Sequence, residues 1–156
     1  MNITIRKAKQ SDCEFILSLW IEMMDFHRKY DKHYSRSESS KKDFRKFLLE
    51  NISSKKSLVL VASYNKKIVG YTIASIVKYP IILQLKQFGA VYELVVHKKY
   101  RRNGIGEQLF TETKEWFKKR GLKRVEISVL KRNPISSKFW DKMGFDTYLE
   151  RRFKKI

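Results

Sequence analysis

Two glycines one residue apart, Gly104 and Gly106, divide a strand-like run from a helix-like run, and this junction constrains the fold more than any other feature. The segment reads Glu93-Leu-Val-Val-His-Lys-Lys-Tyr-Arg-Arg-Asn-Gly-Ile-Gly106. Val91 to Val96 is rich in strand formers. Gly104 to Arg120 carries Ile105, Leu109, Thr113, Trp116 and Phe117 on one helical stripe, and Gly121 stops it. The first amides of a helix have no intrahelical acceptor and lie at the positive end of its dipole. An anion is the natural ligand there, and glycines let a phosphate approach the backbone. A P-loop would need Lys then Ser or Thr after the second glycine, where Glu107 and Gln108 stand. A dinucleotide fingerprint would need a third glycine where Leu109 stands, and the hairpin-rich region upstream does not suit a doubly wound sheet, although Glu126 has the right spacing. A tight turn without a ligand is the remaining alternative.

The rest of the chain supplies elements around this junction. Ile3 and Ile5 alternate in a first strand, and Ser11 with Glu14 matches a capping box. Ile16, Leu19, Trp20, Met23, Met24 and His27 follow at helical spacing and read as core. A second helix starts near Ser40, with Phe44, Phe47, Leu48 and Ile52 on one face. Leu58 to Ser63 and Ile68 to Val77 form a hairpin turning at Asn65-Lys66-Lys67, and Tyr79 to Ala90 reads as a loop. Val125, Ile127 and Val129 predict a strand. Asn133-Pro134 opens a short helix, with asparagine as cap and proline at the first helical position, and Gly144 ends it. The tail from Phe145 to Phe153 reads as a last strand. The order β-α-α-β-β-β-α-β-α-β predicts an α/β (α+β) fold with a mixed sheet.

A length of 156 residues fits one domain over residues 1–156, large enough to fold without disulfides or a metal. Cys13 is the single cysteine and suits a reducing interior. No leader pattern or membrane-length apolar run is present, so a soluble, cytoplasmic protein without a membrane partner is expected. Lys and Arg number 35 against 16 acids, a net charge of +19. Such a field attracts polyanions, but the cations are scattered, with the densest runs at Lys98 to Arg102, Lys118 to Arg120 and Arg151 to Lys155.

Two segments together resemble the GNAT acyltransferase superfamily. The family signature, Arg/Gln-x-x-Gly-x-Gly/Ala after a Leu-x-Val strand, stands as Leu94-Val95-Val96 and then Arg101-Arg102-Asn103-Gly104-Ile105-Gly106. A second segment stands as Asn133, Ser136, Phe139, Trp140, Lys142, Gly144 and Phe145. The resemblance implies a sheet splayed like a V at the strand ending in Val96, with acetyl-CoA as co-substrate in the cleft. Pantetheine would pair with the backbone of Leu94 and Val96, on the strand that also holds Val95. Pyrophosphate would rest on the amides of Arg102 to Gly106, beside Glu107. Asn133 would lie near the pantetheine arm or serve only as a helix cap.

The implied reaction moves an acetyl group to an amine, and an N-acetyltransferase acting on a small molecule or protein is the leading reading. Glu93 is the candidate base, with a substrate-anchoring charge or an outward ion pair as its alternatives, and His97 is a weaker candidate. Family members often place a tyrosine acid where this chain has Trp140, whose indole donates a hydrogen bond but does not titrate. Tyr148 or Ser136 could substitute, or the chain could bind the cofactor without turnover. His27, Tyr30, Asp31 and Tyr34 are candidates for the acceptor side or for a polar surface. A basic nucleic-acid-binding module is the rival class, but no helix-turn-helix spacing, zinc ligands or RNA-binding motif accompanies the charge. A second copy of the chain, as a homodimer, is left open.

Overall fold

The computed structural model describes residues 1–156. Its one sheet has five strands in chain order: β1 (Thr4–Lys7), β2 (Ser57–Tyr64), β3 (Lys67–Lys78), β4 (Gln87–Val96) and β5 (Val125–Ile127). The first four pair antiparallel, and β5 pairs parallel to β4. A parallel pair needs a crossover, here α3 (Ile105–Lys118). The other helices are α1 (Cys13–Arg28), α2 (Ser40–Ser53) and α4 (Pro134–Lys142). The mixed, V-splayed sheet with flanking helices is the expected α/β (α+β) fold.

Strand alternation divides the core into two layers. Leu58, Leu60 and Ala62 of β2 face Ile105, Leu109, Phe110 and Phe117 of α3 and Trp140 of α4. Val59 and Val61 turn the other way, onto Ile16, Leu19 and Trp20 of α1 and Phe44 and Leu48 of α2. Gly89 of β4 permits the α3 layer to close, because a β-carbon there would lie 2.6 Å from the Phe117 ring. The β2–β3 turn is two residues, Asn65 and Lys66, both at positive φ (48° and 63°), the twist that a tight hairpin favours.

One irregularity decides what the site contains. On a regular strand, residues four apart share a face, yet Val91 packs with the α3 layer and Val95 with the α1–α2 layer. The β3–β4 register explains this: Ile73 pairs with Glu93 but Ala74 with Val91, leaving Tyr92 as an extra residue. This β-bulge reverses the parity of β4 and turns Glu93 toward α1.

Several local expectations need correction. Ser11 and Glu14 do not form the capping box. Asp12 accepts from the Lys9 amide at 2.7 Å and from Arg6 at 2.7 and 2.9 Å, while Glu14 pairs with Arg45 of α2. Strand β4 begins at Gln87, inside the stretch read as loop. Residues 145–153 form no strand, and the tail is held instead by Tyr148, whose hydroxyl donates to Glu126 of β5 at 2.9 Å.

Candidate active site

The sheet opens beyond residue 91. The last β4–β5 pair is Val91 with Ile127, so Tyr92 to Val96 run on without a neighbour on the β5 side. His97 N donates to Val69 O of β3 at 2.9 Å. Alternation along β4 therefore turns the backbone groups of Leu94 and Val96 toward the opening. The Val96 carbonyl there accepts from Arg101 Nε at 3.0 Å. The Leu94 backbone and the Val96 amide are left as a strand edge that an extended amide-bearing ligand can pair with. Val95, between them, is buried in the α1–α2 layer.

At the end of β4 the chain makes a basic turn before α3. Arg102 and Gly104 both take positive φ (64° and 73°). A β-carbon at Gly104 would meet only Gln108 Nε2, at 3.9 Å, so the backbone conformation, not crowding, calls for glycine there. Gly106 has the opposite reason. A β-carbon there would lie 3.1 Å from Phe139 and 3.5 Å from Leu94, so this glycine sets how closely α3 approaches α4 and β4. Asn103 donates to the carbonyls of Tyr100 and Arg101 and staples the turn. The first intrahelical bond runs from Gln108 N to Gly104 O, which leaves the amides of Ile105, Gly106 and Glu107 without intrahelical acceptors. Arg101 folds inward over the Phe26 ring of α1, 5.6 Å from its centroid. Arg102, Lys98 and Lys99 point to solvent, and Glu107 pairs with Lys142 of α4. The site thus presents free amides and unpaired cations at a helix start, which is chemistry for a phosphate-bearing ligand.

Glu93 lies within this open stretch, one residue before Leu94 and on the opposite face from it. Its carboxylate accepts from the Tyr71 hydroxyl of β3 at 2.6 Å. Thr72 donates to the Glu93 carbonyl at 2.8 Å and fixes the backbone beneath it. Burial pushes the Glu93 carboxyl up to about 7, against the opposing pull of hydrogen bonds from Tyr71 and Trp20. A carboxylate poised there exchanges a proton readily at neutral pH. Tyr71 was not singled out in the sequence, where it reads as one more apolar residue of a hairpin strand. Its alignment with Glu93 depends on the Tyr92 bulge.

The remaining candidates divide. Asn133 is buried and caps α4, accepting from Ser136 N at 3.2 Å, and its amide lies 3.3 Å from His27 Nε2. That contact joins the start of α4 to the end of α1, and burial holds His27 below its ordinary range. Trp140 is a core residue, packed edge-on against Phe110, Phe139 and Phe145. Ser136 gives its amide to the Asn133 cap. The Tyr148 hydroxyl is held by Glu126, on β5. His97 pairs with Glu22 of α1 at 3.5 Å. Asp31 caps a short turn through the His33 amide, and Tyr34 packs on His27. No helix is long and apolar enough to cross a membrane.

Comparison with known proteins places this geometry in a family. The model of the acetyltransferase (GNAT) family matches residues 19–145. An uncharacterized N-acetyltransferase of Methanocaldococcus jannaschii is 26% identical over 143 residues, covering 92% of this chain. The chain spans 60% of the length of that relative. Among solved structures, a mutant of a Bacillus halodurans protein aligns with a TM-score of 0.84 and 23% identity, covering 98% of this chain and 99% of that one. An aminoglycoside antibiotic 6'-N-acetyltransferase from Acinetobacter baumannii aligns at 0.79 with 20% identity, covering 99% of both chains.

Proposed function

The chain belongs to the acetyltransferase (GNAT) family, and from that premise we propose that it is an N-acetyltransferase that takes acetyl from acetyl-CoA and delivers it to a primary amine. The single observation that carries the reading is the pairing of two features at one opening: free helix-start amides and cations at Arg102 to Glu107, and a partly exposed, high-affinity proton acceptor at Glu93. The names of the relatives and solved neighbours support amine acylation as the reaction class.

In this reading Leu94 and Val96 hold the pantetheine arm along the open strand edge. The amides of Ile105, Gly106 and Glu107 receive pyrophosphate oxygens, in the turn shaped by Asn103 and Gly104 and screened by Arg102. Arg101 acts indirectly, through the Val96 carbonyl it caps. The Asn133 side chain already caps α4, so its role is to hold the cleft wall. Glu93, directly or through a water, takes the proton that the attacking nitrogen gives up. The nitrogen lone pair adds to the thioester carbonyl, the C–N bond forms, the C–S bond breaks, and CoA leaves as its thiolate. No side-chain acid is assigned to that thiolate, because Trp140 does not titrate and the Tyr148 hydroxyl is engaged on β5. The whole of residues 1–156 serves as one acetyltransferase domain, and the buried thiol of Cys13 suits a reducing cytoplasm.

The test is a panel of primary amines, from polyamines and aminoglycosides to peptides, assayed for acetyl-CoA-dependent thiol release by wild type and by Glu93→Gln. At least one amine should give turnover that falls by about 10²-fold or more in Glu93→Gln, the range expected for loss of a general base. Equal turnover in both proteins across neutral pH removes Glu93 from the base role.

A further inference from the structure

Glu93 does not act alone. Its carboxylate is the only acceptor of the Tyr71 hydroxyl, and Tyr71 is completely buried. A buried phenol needs a partner, and a buried carboxylate needs donors, so each fixes the other. Tyr71 is itself held in the α1–α2 layer with Trp20, which stacks on Phe44 with ring centroids 4.4 Å apart. One hydrogen bond, from Tyr71 of the neighbouring strand, therefore fixes the carboxylate at the mouth of the opening.

We propose that Tyr71 is a positioning residue for amine deprotonation: its hydroxyl clamps the Glu93 carboxylate in one orientation and supplies the donor on which its charged form depends. The proposal rests on Glu93 being the base. Burial opposes the charged form and the clamp supports it, and the balance leaves the carboxyl near neutrality. Tyr71 does not relay the proton, because burial and the adjacent carboxylate hold its phenol well above its ordinary value. On β4, His97 is paired with Glu22 of α1. On α1, Cys13 is a buried thiol raised by that burial, and His27 is lowered by its own. Burial is the largest influence on Glu93, and the hydrogen bond from Tyr71 is the largest that opposes it.

The experiment is an isotope-edited NMR titration of the Glu93 carboxyl, which needs no acceptor, in wild type, Tyr71→Phe and Tyr71→Leu. Thermal melts verify that each variant folds, and either variant alone keeps the test decisive. The clamp predicts that removing a donor raises the Glu93 midpoint by about one pH unit, as loss of a charge-assisted hydrogen bond should. With an amine identified, the alkaline-rising limb of kcat/KM should move by the same amount in Tyr71→Phe, with KM for acetyl-CoA unchanged. An unshifted carboxyl midpoint in folded variants overturns the clamp. A shifted midpoint together with undiminished activity of Glu93→Gln leaves the clamp's geometry standing but overturns both the base assignment and Tyr71 as a positioning residue for it. A uniform loss of activity at every pH, without a midpoint shift, assigns Tyr71 to packing alone.

Discussion

At the scale of single residues, Glu93 sets stability and chemistry against each other. Its folded carboxyl sits at about 7 against an ordinary value of 4.5, so the folded protein holds a proton that the unfolded chain has released across that window. Stability therefore falls as pH rises from about 4.5 to about 7 and levels off above, by on the order of 3 kcal/mol for a shift this large. Glu93→Gln should melt like wild type at acid pH and higher than wild type at alkaline pH, while losing turnover. Equal melting differences at both ends, read by calorimetry, would contradict the burial of that charge. Asp12 behaves in the opposite sense. The Arg6 hydrogen bond holds its carboxyl below the ordinary value, so its contribution is present at neutral pH and is lost as pH falls through the lowered range. Asp12→Ala should lower the melting temperature at neutral pH, where Arg6 and the Lys9 amide lose their acceptor, and should matter less in strong acid.

At the scale of elements, the legible parts are those whose chemistry is local. The turn before α3 shows in the sequence because glycine at positive φ and a helix start are local requirements. The Asn133-Pro134 cap shows for the same reason, and the structure places both as read. The Tyr92 bulge does not show, because it exists only relative to the register with β3. With it goes any sign that Tyr71 and Glu93 would meet. The tail from Phe145 to Phe153 reads as strand but forms none, because strand-forming residues alone supply no paired edge. The two glycine types can be separated by experiment. Gly89→Ala, which drives a methyl into the Phe117 ring on the closed side of the sheet, should cost about 1–3 kcal/mol of stability. It should leave acetyl-CoA affinity near wild type in the folded fraction. Chemical denaturation with a parallel binding assay checks both halves, and a loss of affinity without a loss of stability would contradict the layer assignment.

At the scale of the whole molecule, the charge is segregated. Residues 12–53, which hold α1 and α2, contain eight acidic and eight basic residues, so the net +19 is carried entirely by the rest of the chain. The segment of α1 and α2 is thus neutral in sum, while the remainder, which holds the α3 turn, is strongly basic. A polyphosphate ligand approaching that turn is drawn by a field that salt screens within about 10 Å at 0.1 M ionic strength. Acetyl-CoA affinity should accordingly weaken with added salt, and Arg102→Gln should flatten that dependence without altering the fold.

The account stands on a family-type acetyl-CoA site at the start of α3, and the most direct test is the melting temperature with and without acetyl-CoA. At 100 times the dissociation constant, linkage raises stability by about 2.7 kcal/mol, or roughly 5–10 °C for a chain of this size. The account predicts a saturable rise of that order in wild type, and none in Gly104→Val, where a β-branched residue is forced to positive φ in the turn. An unmoved wild-type melting temperature at millimolar acetyl-CoA would contradict it.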